Sequence, residues 1–208
     1  MKPKSIILLS GGLDSTVSAV IASRRTLPLF AITFDYGHLA AEMETLASRK
    51  ICRRLGMAHK VVRLPFFKEF TKSAMLRRRK RMAVSKFNRL QDVWIPNRNG
   101  LFINIAACYA EYYGAQLIVT GFNREEAREF PDNSVRFLQA VNRSLSYSTL
   151  SKVRVKSYVA DSSKREIYKL GLKLGAPLEH VYSCYLGGKK MCGKCASCKR
   201  LIRASKCC

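Results

Sequence analysis

The sequence predicts an α/β fold, a parallel sheet with helices on both faces, followed by a small C-terminal segment that binds metal. Short apolar runs of strand length alternate with longer segments of helical period, the pattern of a sheet covered on both sides. The first apolar run opens onto a double-glycine turn, Ser10-Gly11-Gly12-Leu13-Asp14-Ser15-Thr16, directly before a helical segment. Four cysteines, Cys184, Cys192, Cys195 and Cys198, crowd the last part of a chain of 208 residues.

Taken in order, Ile6 to Leu9 is a buried strand and Ser15 to Arg25 a helix, with Val17, Val20 and Ile21 at helical spacing. Leu29 to Phe34 is the second strand. Ala40 to Leu55 is an amphipathic helix stopped by Gly56. Lys60 to Leu64 is the third strand. Phe66 to Gln91 is basic and has no clean period. A helix from Leu101 to Tyr113 precedes a strand at Leu117 to Thr120, which Gly121 ends. Ser134 to Ser146 is a helix, Val153 to Lys156 a short strand and Lys164 to Leu174 a helix with Gly175 past its end. The domain division is 1–182 for the α/β body and 183–208 for the cysteine segment.

No apolar run reaches the length of a membrane span. The basic N-terminus and short Ile6 to Leu9 run resemble a signal peptide, but the run is too short and no small-residue cleavage pattern follows. The expected location is the cytoplasm. There, clustered cysteines point to metal rather than disulfides. Cys52 and Cys108 lie in helical patterns and read as buried thiols; Cys207 and Cys208 have no evident role. The net charge of +24 fits a polyanionic partner such as RNA, anionic small substrates, or a generally basic background. Lys and Arg are spread along the chain. The cluster Arg77, Arg78, Arg79, Lys80 and Arg81 reads as a solvated loop, with a nucleic-acid contact as the alternative.

The turn after the first strand carries the chemistry. Paired glycines let the backbone bend tightly and approach a ligand, and the N–H groups of the turn and helix start form an anion site. Ser10, Ser15 and Thr16 add hydroxyl donors, and Asp14 suits a magnesium ion bridging phosphates. A Walker loop would need a Lys after its last Gly, and the dinucleotide fingerprint a third Gly; both are missing. The plain alternative is an ordinary capped strand-turn-helix.

Ser10-Gly11-Gly12-Leu13-Asp14-Ser15 resembles the pyrophosphate loop of the PP-loop ATP pyrophosphatases. Members of that superfamily cleave ATP between its α and β phosphates and pass AMP to a substrate oxygen. Four later segments narrow the resemblance: Phe34-Asp35-Tyr36-Gly37, Pro96-Asn97-Arg98-Asn99, Thr120-Gly121-Phe122-Asn123-Arg124-Glu125-Glu126 and Phe130-Pro131-Asp132-Asn133-Ser134. With the cysteine cluster, their order is similar to that of the 7-cyano-7-deazaguanine synthase family over nearly the whole chain. Three features depart from that pattern: His38 and Leu39 where the family usually has Gln, often followed by Arg; Asn97 where it often has Gly; and the strong basic charge.

The resemblance implies an adenine nucleotide alpha hydrolase-like, Rossmann-like fold. It implies a reaction of 7-carboxy-7-deazaguanine, ammonia and ATP, with Mg²⁺, and a homodimer without a membrane. Leu9, Ser10, Gly11, Gly12, Leu13, Asp14, Ser15, Thr16, Asp35 and Tyr36 would hold the nucleotide. Ser10, Asp14, Ser15 and Arg98 would act in catalysis, and Arg98, Asn99 and Asp132 would bind substrate. Read as residues alone, Arg98 and Asn99 suit phosphate or carboxylate, or else a helix start with a surface Arg. Asp132 suits a guanine-like edge, or a turn after Pro131. Glu125 and Glu126 read as surface charge or as supporting groups, and no general base is evident.

Cys184, then after seven intervening residues Cys192, then Cys195 and Cys198 supply four thiolates, a set that suits tetrahedral Zn²⁺ in a closed site. An iron–sulfur cluster is the rival; a ferredoxin pattern would place the fourth Cys soon after Cys198, where Lys199 and Arg200 stand. His180 reads as a surface residue. Two other functions compete: a PP-loop tRNA-thiolating enzyme carrying such a cluster, and a non-catalytic RNA-binding module.

Overall fold

The structure is a computed structural model that describes residues 1–76 and 83–206. The Arg77 to Arg81 cluster, Cys207 and Cys208 lie outside the described residues. Among the described residues, five strands form one parallel sheet: β1 (Lys4–Leu8), β2 (Leu27–Asp35), β3 (His59–Arg63), β4 (Leu117–Thr120) and β5 (Arg154–Ser157), in the order β3-β2-β1-β4-β5. The helices among the described residues are α1 (Leu13–Arg25), α2 (Ala41–Arg54), α3 (Phe67–Phe70), α4 (Leu90–Val93), α5 (Arg98–Tyr112), α6 (Arg124–Ala127), α7 (Val135–Ser148), α8 (Lys164–Lys173) and α9 (Ala196–Ser205).

Strand periodicity sorts the core. Ile6, Ile32 and Ile118 project to one face, where Ile103, Ala106 and Ala110 of α5 and Leu138 and Leu145 of α7 cover them. Ile7, Ala31 and Val119 project to the other, under Ala19 and Ala22 of α1 and Ile51 and Cys52 of α2. Buried on both faces, the strands read as apolar runs rather than as alternating ones. Because β2 lies on one side of β1 and β4 on the other, the connections leave β1 and β4 toward opposite faces. That switch point opens a crevice at the carboxyl ends of these two strands.

Each of the five strands and five longer helices expected from the sequence is present within a few residues. Helix α5 begins at Arg98, earlier than the apolar period implies, after Asn97 with φ +52. Gly adopts that left-handed conformation freely and Asn tolerates it, so Asn serves where the family pattern often has Gly. The segment without a clean period holds α3, a 3₁₀ turn at Val84–Phe87 and α4. Phe67 and Phe87 are fully buried there through single anchors, which leave no periodic signature. The reading of Cys108 as buried is corrected: it is exposed, on the outer stripe of α5, whereas Cys52 is buried. Helix α9 was not anticipated. It packs against α8, and Cys184, Cys195 and Cys198 belong to the same buried cluster as Ile6 and Ile103.

Candidate active site and metal centre

A cavity of about 210 Å³ lies at the switch point. The turn after β1 forms one side. Gly11 has φ +75, and a Cβ there would stand 2.8 Å from Ala47 Cβ, so only Gly lets the turn rest on α2. Gly12 is the N-cap of α1 and offers no side-chain acceptor, which leaves the start of a 13-residue helix open to an anion. Ser15 Oγ and Thr16 Oγ1 donate to Gly12 O at 3.1 and 2.7 Å, and the Ser10 and Ser15 hydroxyls are 3.1 Å apart. From the other side, Gly121 after β4 presses on the helix start. A Cβ there would lie 2.5 Å from Ser15 N.

Below the turn sits a buried charge cluster. Lys164 Nζ pairs with Asp14 Oδ2 and, at 2.8 Å, with Glu126 Oε1. Two carboxylates against one ammonium leave the cluster one negative charge in excess. Burial raises the Asp14 carboxyl to about 6, with Glu126 adding to the rise and Lys164 opposing it. Burial also acts to raise Glu126, but Lys164, Arg200 and Arg98 outweigh it and the net shift is downward. For Lys164, burial favours the neutral amine, yet the two carboxylates prevail and hold it protonated. Asp14 Oδ1 and Thr120 Oγ1 are buried and have no hydrogen-bond partner among the described residues. An unpartnered carboxylate oxygen beside a second carboxylate, at the foot of an anion site, is a donor set that fits Mg²⁺.

The far side carries Arg98, Asn99, Tyr36 and Phe102. Arg98 NH1 donates to Tyr36 Oη at 3.2 Å, and the guanidinium lies 5.6 Å from the Tyr36 ring centroid. Burial acts to lower Arg98, but Tyr36 and Asp132 reverse that, so it stays charged. His38 is buried, stacked on Tyr36 with centroids 3.9 Å apart, and its Nε2 is 3.0 Å from Glu44 Oε2. The imidazole thus underlies the Tyr36 ring and anchors it to α2.

Of the residues singled out from the sequence, Leu9, Ser10, Gly12, Asp14, Ser15, Tyr36, Arg98 and Asn99 border the cavity. Gly11 supports the turn from behind, and Thr16 is fully buried beneath it. Leu13 points away, into a cluster with Val17, Val159 and Ile167. Asp35 closes a strand-end turn by accepting from Gly37 N at 2.9 Å and does not line the cavity. Asp132 is likewise outside the lining, while its neighbour Asn133 is in it; Asn99 Nδ2 donates to Asp132 O at 3.4 Å. Glu126 is the buried partner of Lys164, whereas Glu125 pairs with Arg203 outside.

Lys164 escaped the sequence reading. A signal was present: it occupies the first position of α8, where the helix dipole disfavours a cation, behind a Ser163–Glu166 capping box. A Lys placed against the dipole needs an acidic partner, and Asp14 is 150 positions away. Tyr182, Ser183, Tyr185 and Ser197 also line the cavity and carried no signal at all.

The four cysteine sulfurs all lie within 4.8 Å of one another. Cys192 Sγ and Cys198 Sγ are 3.8 Å apart, about the edge of a tetrahedron of 2.3 Å Zn–S bonds. Lys194 N and Cys195 N each donate to Cys192 Sγ at 3.4 Å. Burial works to raise the Cys192 thiol, but these donors outweigh it and bring it down to about 7. The chemistry and spacing fit one soft divalent ion. His180 stands apart, 3.6 Å from Glu179.

The profile of the family described as "Queuosine biosynthesis protein QueC" matches residues 4–206. A 7-cyano-7-deazaguanine synthase from Pelotomaculum thermopropionicum is 48% identical, over 98% of this chain and 96% of its own. Another of that name, from Carboxydothermus hydrogenoformans, is 48% identical over 97% of each. A solved 4-thiouridine synthetase–RNA complex with bound ATP shares the fold, with a TM-score of 0.58 and 22% identity over 98% of this chain and 50% of that one. With a family match over nearly its full length and relatives at this identity, the chain belongs to the QueC family of queuosine biosynthesis proteins.

Proposed function

We propose that this protein converts 7-carboxy-7-deazaguanine, ammonia and ATP into 7-cyano-7-deazaguanine. The observation that carries the mechanism is one cavity holding an open helix start, the Asp14–Lys164–Glu126 cluster and the buried Arg98. A carboxylate resists attack by ammonia because oxide is a poor leaving group. Transfer of AMP from ATP to its oxygen releases pyrophosphate and makes AMP the leaving group. Ammonia then displaces AMP and gives the amide. A second ATP adenylates the amide oxygen, and loss of AMP with the two N–H protons leaves the nitrile.

The chain's own part is to position and to balance charge. The turn at Ser10 to Gly12 and the start of α1 grip the phosphates that leave. Ser10 and Ser15 donate to their oxygens, and Lys164 faces the negative charge that develops there. Asp14 Oδ1, with Glu126 beside it, would hold Mg²⁺, which screens the phosphates. Arg98 takes the acid's carboxylate in its planar fork and Asn99 supports it. Tyr36 forms the wall of the cavity next to Arg98, and the backbone around Asp132 and Asn133 borders the place for the deazaguanine ring.

Cys184, Cys192, Cys195 and Cys198 would hold Zn²⁺ in a closed structural site. Thiolates on a four-iron cluster bind different irons and stand further apart than these do, which supports zinc over the cluster of a tRNA-thiolating enzyme. In this division of labour, residues 1–182 carry the nucleotide and 183–208 the metal. A homodimer in the cytoplasm completes the reading. Tyr112, Tyr147 and Leu150 are exposed, and Ser151 N donates to Glu111 at 2.8 Å where α5 meets the end of α7, which offers a pairing surface.

Purified protein given the acid, ATP and ammonia should release pyrophosphate and form the nitrile, read by mass spectrometry. Phosphate release instead of pyrophosphate would sink the reading. Asp14→Ala should abolish turnover with the fold intact, because Lys164 keeps Glu126 as a partner; full activity in that variant would refute the role of Asp14.

A further inference from the structure

Tyr185 lines the cavity immediately after the metal-site residue Cys184. Its phenol is half-buried, and Glu126, Lys164 and Arg98 line the same cavity. Among the described residues its hydroxyl has no hydrogen-bond partner. A hydroxyl that shares a cavity lining with Arg98, Lys164 and Glu126, yet is committed to none of them, is placed to meet an anionic ligand rather than to fasten the fold.

Its backbone, by contrast, is firmly held. The residue before it, Cys184, accepts from Cys192 N on Sγ at 3.4 Å, inside the four-sulfur cluster. Three residues before Tyr185, Tyr182 N donates to Gly11 O at 2.9 Å, and Tyr182 Oη donates to Gly188 O at 2.8 Å. The strand of chain from 182 to 185 is therefore pinned at one end to the glycine turn and at the other to the metal site. Ser183 Oγ and Ser197 Oγ, 2.8 Å apart, join it to the start of α9. A side chain so anchored stands at a fixed place in the lining that it shares with Arg98.

We propose that Tyr185 is a substrate-contacting residue, whose phenol O–H donates to the carboxylate oxygen of the acid that Arg98 faces. The proposal rests on the functional reading above. The four-cysteine segment then supplies one wall of the reaction chamber and the second half of a two-sided carboxylate clamp. Donation to a carboxylate is stronger than donation between neutral groups, so losing it has a measurable cost.

The test is Tyr185→Phe, which keeps the ring and removes only the hydroxyl. Binding of 7-carboxy-7-deazaguanine is measured by calorimetry with a non-hydrolysable ATP analogue present, beside zinc content and melting. Acid affinity should fall about tenfold or more, and KM for the acid should rise with it. Zinc content, melting and affinity for the analogue should stay unchanged. The carboxyl-free 7-deazaguanine should bind variant and wild type equally. Unchanged acid affinity overturns the proposal. So does an equal loss with the carboxyl-free compound, or a parallel loss of nucleotide affinity, since either places the hydroxyl elsewhere. Wild-type protein that binds the analogue but not the acid would instead overturn the functional reading beneath it.

Discussion

The glycine turn after β1 and the four-cysteine segment border the same cavity, yet they reach it by different means. The turn is continuous with the centre of the sheet. Ile6 and Ile7 lie in register with Ile118 and Val119 of β4 and with Phe30 and Ala31 of β2, so strand pairing alone sets where the turn begins. Everything it needs lies within a few residues, apart from the approach of Gly121 and the charge of Lys164. The cysteine segment has no strand to fix it. Its four sulfurs gather within 4.8 Å of one another, Tyr182 N donates to Gly11 O, and α9 packs on α8. One wall is set by sheet register and the other by cross-links, so the two should fail differently.

The largest effect is expected on the cross-linked wall. Cys195→Ser removes one of the four sulfurs, and loss of a structural metal should cost about 4 kcal/mol or more. Zinc content and denaturant unfolding should report it, with proteolysis falling first on the C-terminal segment. Unchanged metal and unfolding would mean that packing of α9 alone holds this wall. Next comes Lys164→Met, on the other wall. It leaves Asp14 and Glu126 buried side by side without their cation, and breaking such a cluster costs about 3–5 kcal/mol. The zinc should remain. A variant as stable as wild type would show that water or a bound cation already serves the carboxylates.

Gly121→Ala sharpens the contrast. The added methyl meets Ser15 N at 2.5 Å, backbone against backbone, with no flexible side chain to give way. A loss of about 1–3 kcal/mol is expected, together with weaker nucleotide-analogue binding and unchanged metal. Retained nucleotide affinity would show that the turn can shift without harm. The smallest effect belongs to Ser163→Ala. It removes the capping box of α8 and should cost about 1 kcal/mol while sparing both zinc and nucleotide. A loss of nucleotide affinity there would mean that the cap sets the position of Lys164 in the cavity.

Much of this architecture is written in local pattern. The strands and long helices follow from apolar runs and helical spacing, and the glycine turn follows from Gly11 and Gly12 beside hydroxyls and an acid. The four cysteines mark a possible metal site by residue type and spacing alone. Such features need only neighbours in the chain, and neighbours are what a sequence lists. Pairings across the chain were not legible in the same way. Lys164 reaches Asp14 and Glu126 only because β5 and α8 bring it to the switch point. Asp35 and Asp132, carboxylates of promising type, were turned aside by local hydrogen bonds to Gly37 N and Asn133. Tyr185 gained its place from its neighbour Cys184, one of the four gathered sulfurs. The sequence by itself therefore determined the elements, the glycine turn and the set of four cysteines that could hold a metal, because each depends on short-range backbone geometry or on ligand chemistry. Only the tertiary structure decided which charges share a cavity, since burial and distance between remote side chains set that choice.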